Sequence, residues 1–271
     1  MTYNQLLDGI KRFGSNESDI CLHGLGVSPE RINTNVIIAP WWEPTTLPDL
    51  GEADYLSASD FSAVKVWDIS NNGLSITYIK TGIGAPVLMD VILSLGVTKC
   101  KQAIFVGSVG SLDENIGIGD IVIPEWSICG DGASRYISNS TLKSQDIFGE
   151  KAYPNNELYL KILESTKQVC INTETKYHVG QNFSIDTIFA QFAHIDEIKS
   201  LGCNVIEMET AAAFKAAQVA GISLAAILSV SDNSVTKKSL ISGRTDKEME
   251  YRKFIRRAIF PQIILNSLKN A

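Results

Sequence analysis

The chain has 271 residues, and 24 Lys and Arg against 30 Asp and Glu leave it a net charge of −6. That acidic balance lacks the basic stripe nucleic acid demands, and no window holds the roughly 18 consecutive apolar residues of a membrane span. Nearly half the residues are apolar and a fifth are charged, a globular composition long enough to bury a sizeable core.

The opening residues, MTYNQLLDGIKRFG, lack the apolar stretch of a signal peptide. Strands are expected at NVIIA (35–39), AVKVWDI (63–69) and LSITYIK (74–80), the last alternating as a half-exposed strand does. APVLMDVILSLGV follows as a helix, with Pro86 suited to its first position and Gly96 to the place just past its end. AIFVG (103–107), apolar throughout, suits a strand covered on both faces, and DIVIP (120–124) is the next strand. From about 126 to 155 periodicity is poor and Gly, Ser, Asp and Asn are common, which reads as a long excursion. A helix at ELYLKILESTKQV (157–169) precedes a strand at NVIEM (204–208). TAAAFKAAQVAG (210–221) is a helix closing on Gly221, and LAAILSVS (224–231) is a strand. The last helix starts at Thr245, where Glu248 completes a capping box, and Pro261 should kink or interrupt it. Strands alternating with helices argue for an α/β fold. The expectation is a single domain over 1–271, three-layered, with a core from about 35 to 265. A central, mixed, largely parallel twisted sheet would be flanked by helices.

Ligands of open α/β sheets bind beyond the carboxyl ends of strands. After AIFVG comes GSVGS, Gly107 to Ser111, where small residues let a ligand approach the backbone. After LAAILSV comes Ser231-Asp232-Asn233, with an aspartate suited to a general acid or a cap. In NVIEM, strand alternation puts Glu207 and Glu209 on one face, and burying a carboxylate there is costly unless it is hydrogen-bonded or paired. Glu207 can bind neighbouring backbone and Glu209 can start the next helix; equally, a carboxylate can accept two hydroxyl hydrogen bonds from a polyol such as ribose. Cys21, Cys100, Cys129, Cys170 and Cys203 show no CxxC or zinc spacing, and His23, His178 and His194 form no ligand pattern. Reduced thiols, no metal and a cytoplasmic location are expected.

KTGIGAPVLMDVILSLGV (80–97), FVGSVGSLDENIGIGDIVIP (105–124), VGQNFSIDTIF (179–189), VIEMETAAAF (205–214) and SVSDN (229–233) together resemble the nucleoside phosphorylase superfamily. That family comprises purine nucleoside phosphorylases, uridine phosphorylases and methylthioadenosine nucleosidases. The resemblance covers residues 35–265 and implies cleavage of an N-glycosidic bond. It implies that Glu209 holds the ribose 2′- and 3′-hydroxyls, with Met208 packing under the sugar and Glu207 beside them. Phe183 would stack on the base, and Ser108, Val109 and Gly110 would form the floor. Asp232 would protonate N7 of a departing purine, since the SDN sequence is similar to the purine-cleaving branches. The partner implied is a small-molecule nucleoside rather than nucleic acid or membrane. No cofactor is implied beyond phosphate as co-substrate, and the family's habit of sharing pocket residues implies a homo-oligomer.

The pattern breaks where the family's phosphorylases carry phosphate-binding arginines. The loop after the first strand reads APWWEPTTL (39–47), with Trp41 and Trp42 in place of Gly-Asp. Phe105 stands at the second arginine position, and Ser62, with Lys65 nearby, at the third. Lys65, Lys80 or Arg135 are candidate replacements. Phosphorolysis is the family default. The alternative is hydrolysis, with Glu43, one place from the nucleosidases' water-activating glutamate, as base; Leu228 replaces an arginine that those nucleosidases carry. A non-catalytic nucleoside-binding protein is the third reading.

Overall fold

Every strand expected from periodicity is present in the computed structural model, which describes residues 1–60, 63–138 and 146–269. In chain order the strands are β1 (Asn35–Ala39), β2 (Glu52–Ala58), β3 (Lys65–Asn71), β4 (Leu74–Lys80), β5 (Gln102–Ser111), β6 (Ile121–Gly130), β7 (Lys151–Ala152), β8 (Tyr177–Ile185), β9 (Val205–Glu207) and β10 (Ser223–Asn233). The α-helices are α1 (Tyr3–Arg12), α2 (Glu17–Leu25), α3 (Ala85–Leu95), α4 (Arg135–Ser138), α5 (Asn156–Thr173), α6 (Ile188–Ser200), α7 (Thr210–Ala220), α8 (Asp246–Phe254) and α9 (Phe260–Lys269).

The sheet runs β10-β6-β8-β9-β5-β1-β4-β3-β2, and β10 also pairs with β5. That extra pairing closes β5, β10, β6, β8 and β9 into a ring, while β1, β4, β3 and β2 extend from it as an open wing. The sheet is mixed: β5 lies parallel to β1 and β10 but antiparallel to β9. Strand alternation divides the core. Ala103 and Phe105 of β5 join one apolar cluster with residues of α3 and α7. Ile104 and Val106 join a second with residues of α5 and α9. Two helical layers therefore cover a buried sheet, as the all-apolar AIFVG run implies.

Local signals hold at the helix ends. Gly221 takes the left-handed conformation that terminates α7, with φ 71°. The capping box of Thr245 and Glu248 opens α8. Pro261 does not break the helix that follows: residues Ile255–Ile259 form a π-helical turn between α8 and α9. This wider turn accommodates the missing proline N–H and keeps the rod continuous.

Three expectations need correction. The stretch 126–155 is not one excursion. Its first residues finish β6, and β7 pairs back onto β6 through Ser127 and Ala152. The core begins well before residue 35, since Cys21 and Leu25 of α2 are fully buried and Tyr3 donates its hydroxyl hydrogen to the Leu93 carbonyl at 2.5 Å. Finally, β8 and α6 are additional elements. β8 escapes a periodicity reading because polar Asn182 and Ser184 occupy buried positions in it.

Candidate active site

β5 and β10 run parallel to their carboxyl ends, with Val109 opposite Val230 and Gly110 opposite Asp232. β9 joins β5 from the other side, with Ile206 opposite Gly110. These three strand ends enclose a cavity of about 380 Å³. Gly110 leaves little room for a side chain: a Cβ would lie 3.1 Å from Asp232 Oδ2 and 3.3 Å from Ile206 Cγ2, so those side chains would have to shift. Ser108, Val109, Gly110, Met208, Glu209 and Asp232 all line this cavity.

The two glutamates face different tasks. β9 ends at Glu207, and Glu209 becomes the N-cap residue of α7 with φ −139° and ψ −35°. Strand alternation therefore stops between them. Glu207 is part of the cavity wall, but its carboxylate is consumed internally. Oε1 accepts from Asn182 Nδ2 and Ser184 Oγ, each at 2.6 Å, and from Thr210 Oγ1 at 2.9 Å. Oε2 accepts the backbone N–H groups of Glu209 and Thr210 at 2.7 and 2.8 Å. Expected as a substrate ligand, Glu207 is instead a buried scaffold that satisfies the first turn of α7. Glu209 accepts the Gly84 N–H at 2.8 Å. Burial pushes both carboxyl pKa values up. The donors converging on Glu207 make it the member that keeps its charge. Glu209, with fewer, takes the proton: burial first, then the Glu207 charge, push its pKa up to about 8.

Asp232 sits across the cavity, and its Oδ1 accepts from Ser231 Oγ at 2.6 Å. Burial raises its pKa, against the opposing pull of the Ser231 hydrogen bond and the charges of Arg244 and Arg252. Asn233 is structural, donating through Nδ2 to the carbonyls of Asp113 and Ile116 at 2.7 and 2.9 Å.

Two predicted residues lie elsewhere. Phe183 does not line the cavity. Its ring is 4% exposed, packs over Gly130, where a Cβ would approach it to 2.3 Å, and meets Phe148 edge-on at 6.3 Å. Glu43 is also outside: its Oε1 pairs with Lys80 at 2.9 Å and Lys65 at 3.2 Å. Those lysines hold the carboxyl below its ordinary pKa, the wrong direction for a base that must take a proton from water. The same pairing occupies both lysines, and Arg135 pairs with Asp146 at 3.2 Å. None of these three proposed replacements lines the cavity. Phe105 is buried in the core, and Ser62 lies outside the described residues.

The sequence reading passed over Arg252 and Arg256, which both line the cavity. Arg252 Nη2 donates to Ser108 Oγ at 2.7 Å. Arg256 lies over the Trp42 ring, 5.4 Å from its centroid. Trp42 is itself buried against Phe260, centroids 6.2 Å apart, and its carbonyl accepts the Tyr78 hydroxyl hydrogen at 2.8 Å. Trp41 stands at the mouth, 67% exposed. The available signal was the four-residue spacing of the two arginines, which puts them on one helix face; that spacing is equally usual on a solvated face.

The chain resembles nucleoside phosphorylases in sequence and in fold. The chain is similar to a uridine phosphorylase of Thermococcus kodakarensis, 25% identical over 181 residues, covering 61% of each chain. It is similar to a DeoD-type purine nucleoside phosphorylase of Streptococcus thermophilus, 26% identical over 168 residues, covering 60% of this chain and 65% of that one. These matches thus span less than two thirds of the relatives' own length. Among solved structures, a uridine phosphorylase of Vibrio fischeri superposes with a TM-score of 0.70 at 20% identity, over 89% of this chain and 94% of that one. A purine nucleoside phosphorylase of Toxoplasma gondii in complex with immucillin-H gives 0.71 at 18%, over 90% and 93%. The structural likeness is one of fold. A family model described as the phosphorylase superfamily matches residues 48–259, and the chain belongs to that superfamily.

Proposed function

We propose that this protein cleaves the N-glycosidic bond of a purine nucleoside and passes the sugar to phosphate. The observation that carries the reading is that Glu209 and Asp232 line one cavity above the small-residue floor Ser108–Gly110. Glu209 would accept hydrogen bonds from the sugar diol. The C1′–N bond would break with its electron pair leaving on the base, and protonated Asp232 would give its proton to the purine ring. The acceptor oxygen would form the new bond at C1′. Burial raises the Asp232 pKa, which favours the acid form this role needs. Asp232 in the SDN sequence supports a purine base. Phosphate is favoured over water because two guanidinium groups line the cavity while Glu43, the candidate base for hydrolysis, lies outside it.

The test is release of free base from purine and pyrimidine nucleosides by the full chain, with and without phosphate. Purine release that requires phosphate, with sugar 1-phosphate formed in equal amount, is the expected result. Equal release in phosphate-free buffer would replace phosphorolysis by hydrolysis. No release from any nucleoside would overturn the reading.

A further inference from the structure

Two cations, Arg252 and Arg256, stand in the cavity wall beside the carboxyl groups of Glu207, Glu209 and Asp232. Arg252 is 9% exposed, and the Nε atoms of both Arg252 and Arg256 are buried without a hydrogen-bond partner. Among the described residues neither guanidinium forms an ion pair. Asp232 is felt by Arg252 as a favourable charge, while Arg256 and Arg244 repel it. Burial and those two like charges bring the Arg252 pKa down to about 10. A buried donor left unpaired is costly, and the two guanidinium Nε–H groups both bear that cost. An anion between them would remove it.

The arginines also account for Trp42. The face of Trp42 backs Arg256, and cation–π contact of this kind fixes a guanidinium's orientation. Arg252 is fixed at its other end by Ser108 Oγ; because that oxygen accepts from Arg252, its own hydrogen is free to donate onward. Two guanidinium groups and one hydroxyl line the same cavity, and the several oxygens of a phosphate can accept from all of them.

We infer that Arg252 and Arg256, with Ser108, form a phosphate-binding subsite carried on the C-terminal helical rod. This subsite takes over the task for which the loop after β1, with Trp41 and Trp42, has no arginine. What the phosphate does there rests on the proposed glycosidic cleavage, but its binding does not. The phosphate group arrives either free or as an ester on the nucleoside.

Calorimetric binding to the full chain separates the possibilities. The ligands are inorganic phosphate, a purine nucleoside and its 5′-monophosphate, titrated into wild type, Arg252→Gln and Arg256→Gln. Each substitution should weaken phosphate binding roughly tenfold or more, the range for a lost charge-assisted contact. Nucleoside affinity should change far less. Phosphate should raise the melting temperature of wild type and not of the variants; removing one of two repelling cations should leave the variants folded. If only the monophosphate gains affinity over its nucleoside, and loses it in the variants, the subsite stands and the phosphate is delivered by the substrate. Arginine-dependent phosphate binding without nucleoside binding would retain the subsite and refute the glycosidic reading. Equal phosphate affinity in wild type and variants, or no phosphate-dependent binding of any kind, overturns the inference.

Discussion

The backbone N–H of Glu209 is held at 2.7 Å by the carboxylate of Glu207, so one glutamate positions the other. Glu207→Gln would set an amide N–H₂ group, or a single uncharged oxygen, against the donors that now converge there. Each buried donor left unsatisfied costs about 1–3 kcal/mol. The variant should unfold at clearly lower urea concentration than wild type and bind nucleoside more weakly, because the first turn of α7 loses its anchor. Unchanged urea midpoint would show that Glu207 is not the scaffold described.

Glu209 should make stability depend on pH. Its pKa is raised from 4.5 to about 8, so the folded state holds this proton more tightly than the unfolded chain. That stabilisation is complete below about 4.5 and is lost as pH climbs through about 8. Wild type should therefore lose stability across this window, on the order of a few kcal/mol, and Glu209→Gln should flatten the profile. Nucleoside affinity should run the opposite way, since the charged carboxylate accepts hydroxyl hydrogen bonds more strongly. Urea midpoints and dissociation constants below and above the window check both slopes.

Asp232→Asn should lower turnover of purine nucleosides by about 10²–10⁴, the usual contribution of a positioned acid. The loss should shrink for substrates whose leaving group needs no protonation. Near-wild-type turnover on ordinary purine nucleosides would remove Asp232 from the acid role.

Glu43→Gln should leave turnover unchanged, because the side chain pairs with Lys65 and Lys80 away from the cavity. Losing a partly exposed ion pair costs no more than about 1 kcal/mol. A steep fall in steady-state turnover would restore Glu43 to the mechanism.

Phe183→Leu separates packing from base stacking. With its ring wedged over Gly130 and beside Phe148, truncation should cost about 1–3 kcal/mol of stability through the space it leaves. KM for nucleosides should hardly move. A large rise in KM with unchanged melting temperature would place the ring on the base instead.

Much of the frame could be read locally. β1, β4, the helix after Gly84 and the capped start of α8 appear where periodicity, Pro86 and the Thr245–Glu248 pair predict them. Motif order brought Ser108, Met208, Glu209 and Asp232 to one cavity. β8 was missed because Asn182 and Ser184 look like loop residues until Glu207 appears beside them to accept their hydrogen bonds. Glu207 and Glu209 looked equivalent because alternation says nothing about where a strand stops. Phe183 lost its assigned place to the close approach of Gly130 on the neighbouring strand, a contact between residues more than fifty positions apart.

The sequence by itself determined most of the strands and helices around the site, β8 and α6 apart, because hydrophobic period, caps and turn glycines act over a few residues. It also determined the family, because several motifs recur in order. Only the tertiary structure decided where the cations stand. Arg252 and Arg256 carry no local mark; they meet Ser108 and Trp42, over a hundred residues earlier in the chain, because packing brings the C-terminal rod against the end of β5 and the loop after β1. Charge placement is a property of packing, and packing joins residues that no short window contains.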